Sequence, residues 1–331
     1  MSWIMRRRSG VICSVIGYSC LWIARPSIMT DETTASRHPM GRETILSDLS
    51  KLALLSHFPV LLSIDHLEPT MSGISYSAEA AQTLVAIYST PDVVAQREAT
   101  IRRLALKLGE QVIDVGCGPG FLCESMAADV GATGRVVGIE LSEDLVRFAT
   151  RRKGQPCIDY RLGDAARLDI SSASFDVVVS TQVVEYVPNA DAALHEMYRV
   201  LRPGGRGILV DTDWDTVIWH SRDEHRMARI LKAWEDHCAH PRLTRTLAAR
   251  LQASGFIVGR VEGYSIVNTV YDQSTYSHGL ARLISEYLGK RNFDSQAIAD
   301  WLADLSNLNQ QNSYFFSINR YFFTVTKPTQ G

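Results

Sequence analysis

The chain has 331 residues, 46% of them hydrophobic and 21% charged, with a formal net charge of -2. This is ordinary globular composition, with room for one large α/β domain, and it excludes both a disordered chain and a polytopic membrane protein. The charge balance supplies no electrostatic reason for a nucleic-acid partner, and none is expected.

Arg6, Arg7 and Arg8 precede an apolar stretch from Val11 to Ala24, and no acidic residue occurs before Asp31. That is the pattern of a targeting segment, although the stretch is short for a bilayer span. Residues 1–70 are therefore expected to be an N-terminal extension, either targeting or poorly ordered, with Ile45 to Leu67 as a helix and a short strand-like piece. Met29, Met40 and Met71 are alternative starts. The folded domain is expected over residues 71–331.

From Ser77, apolar residues at Ala81, Leu84, Val85 and Tyr88 share a helical face, and Pro91 opens a second helix as its first-turn residue. Gln111 to Val115 reads as a strand that runs into glycines, and Phe121 to Val130 resumes helical spacing. The alternation continues with strand Val136 to Glu140, helix Glu143 to Arg152, strand Ile158 to Leu162 and strand Phe175 to Ser180. Helix Ala190 to Leu201, a turn at Pro203-Gly204-Gly205 and strand Gly207 to Asp211 follow. Strands alternating with helices imply a mostly parallel sheet covered on both faces, because each crossover helix must pack back onto it.

The last third breaks that rhythm. Helices are expected near Glu224 to Cys238 and Leu243 to Ser254, then a strand from Phe256 to Val267. A helical insertion at about 273–312, with helices around Gly279 to Leu288 and Ser295 to Leu305, leads to a long strand from Tyr314 to Thr326. Two final strands joined without a normal crossover predict an antiparallel closing pair at one sheet edge. The six cysteines (Cys13, Cys20, Cys117, Cys123, Cys157 and Cys238) lack a paired ligand spacing, which fits a reducing compartment. His237, Cys238 and His240 read as a partly exposed helix end, so no metal site is expected.

Chemistry concentrates where the first strand becomes a helix, at Asp114, Gly116, Cys117, Gly118, Pro119 and Gly120. Glycines there permit positive φ and let a ligand approach bare backbone, while the helix N-terminus offers unpaired N–H groups. Glu140 ends the second strand about twenty residues on, where a carboxylate can accept from both hydroxyls of a ribose. Asp164 follows the third strand and is placed to accept from an adenine amino group while the Ala165 N–H donates to the ring. A dinucleotide fingerprint wants a third glycine where Phe121 stands.

The ordered runs VIDVGCGPGF, VVGIELS, GDAARLDISSASFDVVVSTQVVEYV and YRVLRPGGRGILV resemble the motif set of class I S-adenosylmethionine-dependent methyltransferases, over about Gln111 to Asp213. The resemblance implies a Rossmann-like, mostly parallel seven-stranded sheet with an antiparallel closing strand and helices on both faces. It also implies S-adenosyl-L-methionine as cofactor. By it, the Gly116 to Gly120 loop holds the methionine end, Glu140 and the adjoining Leu141 the ribose side, and Asp164 with Ala165 the adenine. Ser180, Thr181 and Gln182 would line the path to the sulfonium.

The nearest likeness is to small-molecule methyltransferases grouped with quinone biosynthesis, so a small-molecule acceptor methylated on O, N or C is the expected partner. Thr181-Gln182-Val183-Val184-Glu185-Tyr186 departs from the asparagine-and-glycine motif of the quinone C-methyltransferases. No cysteine lies between Cys157 and Cys238, which argues against arsenite as acceptor. Asp213 and His220 are the candidate base pair, drawn from Glu185, Tyr186, Asp211, Asp213 and His220 beyond the strand ends. Trp214, Trp219, Tyr264, Tyr271 and Tyr276 are read as either ordinary core or, with the helical insertion, a roof over an apolar acceptor. An NAD(P)-dependent oxidoreductase and a non-catalytic cofactor-binding protein on the same fold are the competing readings. A cytoplasmic location is expected, with organelle targeting or weak membrane association through the N-terminal extension as alternatives.

Overall fold

The computed structural model describes residues 78–329, so the expectations for residues 1–70 lie outside the described residues. Helix α1 (Ala78–Tyr88) and helix α2 (Pro91–Leu104) come first, and Pro91 opens α2, where its missing N–H costs nothing. The alternating section follows: strand β1 (Gln111–Val115), helix α3 (Phe121–Val130), strand β2 (Arg135–Glu140), helix α4 (Glu143–Arg152), strand β3 (Ile158–Leu162) and strand β4 (Phe175–Thr181). Ser142 caps α4 by accepting the Leu145 N–H, and Asn189 caps helix α5 (Ala190–Val200) through the Ala192 N–H.

Strand β5 runs from Leu201 to Trp219, far longer than the expected Gly207 to Asp211. It absorbs Pro203-Gly204-Gly205 as an irregularity: the register on β4 jumps from Phe175 opposite Leu201 to Val177 opposite Arg206. Gly204 adopts φ 78° there, which a bulge requires and other residues resist. At its far end β5 outlasts β4 because strand β7 continues to pair with it as far as Trp219.

Helix α6 (Glu224–Trp234) stops four residues short of the expected Cys238 and tightens into a 3₁₀ turn at Glu235–His237. Helix α7 (Thr244–Ala253), strand β6 (Ile257–Asn268), helix α8 (Tyr276–Lys290), helix α9 (Ser295–Gln310) and strand β7 (Phe316–Thr326) complete the chain. The seven strands form one sheet in the order β3-β2-β1-β4-β5-β7-β6. Strand β7 is antiparallel to both neighbours, so the last two strands do close the sheet as an antiparallel pair.

Because side chains alternate across a strand, the sheet feeds two cores. Val112 and Val177 pack with Leu122 and Met126 of α3, whereas Ile113 and Val178 pack with Leu194 of α5 and Leu247 of α7. A third core forms on the overhanging part of β5, β6 and β7, where Trp219, Phe316 and Ile318 meet Ile230 of α6, Ile284 of α8 and Trp301 of α9. Among the described residues, no helix is long and apolar enough to cross a membrane.

Candidate active site

The strand order runs outward from β1 through β2 to β3 and then returns to β4 on the other side. Such a reversal leaves a crevice beyond the carboxyl ends of the strands. A cleft of about 270 Å³ lies there, and it gathers Asp114, Gly116, Cys117, Gly118, Glu140, Leu141, Asp164, Ala165 and Thr181. Glu140 and Asp164 come together because β2 and β3 are parallel neighbours with Glu140 opposite Leu162, two residues before Asp164.

The glycine loop is shaped for ligand approach at one position above all. Gly118 has φ 53°, and a Cβ added there would meet only Tyr88 Cε2 at 3.7 Å, so the bare backbone faces open cleft. Its N–H donates to Glu140 Oε2 at 2.9 Å, and the Ser142 N–H donates to Oε1 at 3.0 Å. Each carboxylate oxygen keeps a lone pair for a further donor. Burial raises the Glu140 pKa, and the two N–H donors oppose that rise.

Asp114 is buried beneath the loop, where burial pushes its pKa up to about 7. Cys123 Sγ donates to its Oδ2 at 3.4 Å, but its Oδ1 has no protein partner. Asp164 is exposed and accepts the Ala166 N–H on Oδ1 at 2.8 Å, a turn-stabilising bond that leaves the other oxygen for a ligand.

Several expected positions fall elsewhere. Gly120 does not line the cleft; it precedes α3 with φ 79°, and its carbonyl accepts from the Tyr160 hydroxyl at 3.1 Å. Asp213 and His220 do not line it either. The extended β5 carries Asp213 past the cleft to Arg245, which donates to both its carboxylate oxygens at 2.7 and 2.9 Å. His220 is exposed where β5 ends, its N–H donating to the Phe315 carbonyl.

Trp214, Trp219 and Tyr276 are buried in the third core, so they are packing rather than cleft wall. His237 is also core, not an exposed helix end: it stacks on Trp234 with ring centroids 3.8 Å apart, and burial pushes its pKa down to about 3. Among the described residues, no group of three or more His, Cys, Asp or Glu side chains could hold a metal ion.

What roofs the cleft is the two-helix preface, to which no ligand role was attached from sequence. Leu84 and Tyr88 of α1, and Val93, Gln96, Arg97 and Thr100 of α2, line it opposite the glycine loop. Arg97 stands over the Phe121 ring at 5.1 Å, beside the unpaired N–H groups that begin α3. One signal was visible: Gln96 is a polar residue on a helical stripe otherwise made of Val93, Ala99, Thr100 and Leu104.

Gln182, Tyr186, Val187 and Pro188 also line the cleft, and the loop that carries them is tied down by a buried polar cluster. Glu185, Asp211 and Arg320 are each at most 1% exposed. Asp211 Oδ1 accepts the Val183 N–H at 3.2 Å, and Glu185 Oε2 accepts the Thr212 N–H at 3.0 Å, so the pair ties the loop after β4 to β5. Burial and the neighbouring Asp211 hold the Glu185 pKa well above the usual carboxylate range, and burial pushes Asp211 up to about 7.

Residues 113–209 match the methyltransferase domain family. A demethylmenaquinone methyltransferase of Oceanobacillus iheyensis is 33% identical over 125 residues, which is 37% of this chain and 52% of that protein. An arsenite methyltransferase of Halobacterium salinarum is 34% identical over 110 residues, 32% of this chain and 28% of that protein. The chain thus spans about a quarter to a half of the length of these relatives. In fold it is similar to a phosphoethanolamine N-methyltransferase of Haemonchus contortus solved with phosphomonomethylethanolamine and S-adenosylhomocysteine, at TM-score 0.52 and 18% identity over 77% of this chain and 58% of that one. The segment that matches the methyltransferase domain family is the one that carries the glycine loop, Glu140, Asp164 and Thr181.

Proposed function

We propose that this protein transfers a methyl group from S-adenosyl-L-methionine to a small-molecule acceptor. The observation that carries the reading is the convergence of Gly118, Glu140 and Asp164 on one cleft that Thr181, Gln182 and Tyr186 also line. The residues present fit the cofactor: the open backbone at Gly118 leaves room for it, and Asp114 Oδ1 is a buried acceptor with no partner of its own.

In this reading Glu140 binds the ribose hydroxyls and Asp164 with Ala165 the adenine edge. Arg97 and the start of α3 receive the carboxylate of the methionine moiety, a good match for a guanidinium and a helix N-terminus. Asp114 balances the positive charge of the same moiety. The cofactor supplies a methyl carbon on a cationic sulfur, so the protein has mainly to align an acceptor atom with that carbon and exclude water. The roof of α1 and α2 performs the exclusion, with Leu84, Tyr88 and Val93 as its apolar surface.

Calorimetry on the full chain tests the reading. Binding of S-adenosylhomocysteine with no binding of NADH is expected, and the reverse result would identify an oxidoreductase. Labelled-methyl transfer into a cell extract then separates an enzyme from a non-catalytic binder, with mass identification of the labelled product naming the acceptor.

A further inference from the structure

Among the described residues that line the cleft, none comes from the helical insertion of α8 and α9. The insertion packs against the roof instead. Ile87 of α1 and Val93 of α2 belong to the third core together with Tyr276, Leu280 and Ile284 of α8. On α1, Ile87 meets α8 while Leu84 and Tyr88, one turn apart, line the cleft. Val93 serves both sides, as core residue and as cleft wall. A displacement at this contact therefore moves the surface that faces a ligand.

Two residues fix the contact, and neither lines the cleft. The first is Asp92, in the first turn of α2. Its Oδ2 accepts the Tyr276 backbone N–H at 2.8 Å and Asn268 Nδ2 at 3.0 Å. Asn268 Oδ1 in turn accepts the Ser277 N–H at 3.0 Å. Tyr276 and Ser277 open α8, and Thr275 before them gives no side-chain cap. The N-terminus of α8 is thus capped from a roof helix and from the end of β6 rather than from its own sequence. A carboxylate there is also favoured by the dipoles of both α2 and α8.

The second is Gly279, on α8 opposite Ile87. A Cβ at that position would overlap Ile87 Cγ1 and stand 3.5 Å from Ile87 Cβ. Glycine is less favourable than alanine inside a helix, so packing must account for it. The missing side chain is what lets α1 approach so closely. The C-terminal end of α2 is held separately: Arg103 Nε donates to Glu262 Oε2 and Arg206 Nε to the Leu104 carbonyl, both at 3.0 Å. Ile87 and Asp92 flank the turn between α1 and α2, so α8 places the other end of the roof.

We propose that α8 sets the position of the roof over the cleft, and that Asp92 and Gly279 are positioning residues for cofactor binding. The inference rests on the methyltransferase reading, in which the roof excludes water and Arg97 of α2 receives the cofactor carboxylate. It gives the insertion an effect on affinity without any contact with a ligand. A misplacement of about 1 Å in supporting structure is enough to spoil a site.

The test measures calorimetric affinity for S-adenosylhomocysteine and the urea midpoint on the full chain. Gly279→Ala is expected to lower affinity about tenfold with the midpoint unchanged or raised, since alanine favours the helix while its methyl group displaces α1. Asp92→Ala removes the shared acceptor and is expected to lower affinity about tenfold as well. Asp92→Asn keeps an accepting oxygen and should stay within about threefold of wild type. Asp304→Ala is the control. Asp304 Oδ2 accepts from Ser221 Oγ at 2.8 Å and from the Arg222 N–H at 2.9 Å, tying the insertion to the segment before α6. Its loss should lower the midpoint and leave affinity unchanged.

Gly279→Ala or Asp92→Ala protein with wild-type affinity overturns the proposal. So does Asp304→Ala protein whose affinity falls as far as that of Asp92→Ala, because general loosening of the third core would then explain both. Asp92→Asn protein no better than Asp92→Ala overturns the role given to Asp92. If Asp92→Ala does not fold, Gly279→Ala decides. Wild-type protein that does not bind S-adenosylhomocysteine overturns the methyltransferase reading, and this proposal with it.

Discussion

The two parts of the cleft lining are built in different ways. The part proposed to hold the cofactor draws on three successive strand-to-loop junctions within about fifty residues of chain, and much of what it presents is backbone. The rest of the lining takes single side chains from α1, α2 and the loop after β4, supported from β5 and β7, with Gln96 and Arg320 separated by 224 positions. A backbone-built site leaves a contiguous sequence signature, because glycines and strand-tip carboxylates must occur at set spacings. A site built from scattered side chains leaves isolated anomalies, such as a glutamine on an apolar helix face or an arginine in an apolar strand row.

That contrast can be broken most sharply at Arg320. Arg320→Leu removes the guanidinium that donates to Gln96 and whose charge opposes the raised Glu185 pKa, and a stability loss of about 3 kcal/mol is expected in urea unfolding. A loss under about 0.5 kcal/mol would mean that the cluster is not held by its charges. Glu140→Ala should show the converse. It removes charge-assisted bonds to a ribose and lowers cofactor affinity by about tenfold to a hundredfold in calorimetry, with a smaller effect on folding. Unchanged affinity would take the ribose role away from Glu140.

A pH dependence at Asp114 tests the buried carboxyl beneath the glycine loop. Its folded pKa, about 7, lies above the ordinary value of 3.8, so between those limits the native protein binds more protons than the unfolded chain. Stability contributed through Asp114 therefore falls as pH rises across this window, by up to about 1.4 kcal/mol per pH unit, and levels off above it. Asp211 adds a slope of the same sign. Urea unfolding at several pH values should show a shallower decline in Asp114→Asn than in the wild type; equal slopes would mean that Asp114 ionises in the fold as it does in water.

The corrections have a common origin. Strand β5 was expected to run from Gly207 to Asp211, yet it extends to Trp219 because β7 offers a further partner. That extension moves Asp213 to Arg245 and His220 to the surface, away from the cleft. Trp214 and Trp219 gave no sign in sequence of whether they face a ligand or a core, since an aromatic side chain serves either. The helices that enclose them, α6, α8 and α9, settle it as core.

By itself the sequence determined the alternating strands and helices, the antiparallel closing pair and the glycines and carboxylates that line the cleft at Gly118, Glu140 and Asp164, because these depend on local periodicity and on residue types needed at fixed offsets. The tertiary structure alone decided what roofs the cleft, how far β5 runs, and that Arg320 bonds to Gln96. Those outcomes depend on partners distant in the chain, and a hydrogen bond between α2 and β7 has no counterpart in the spacing of either segment.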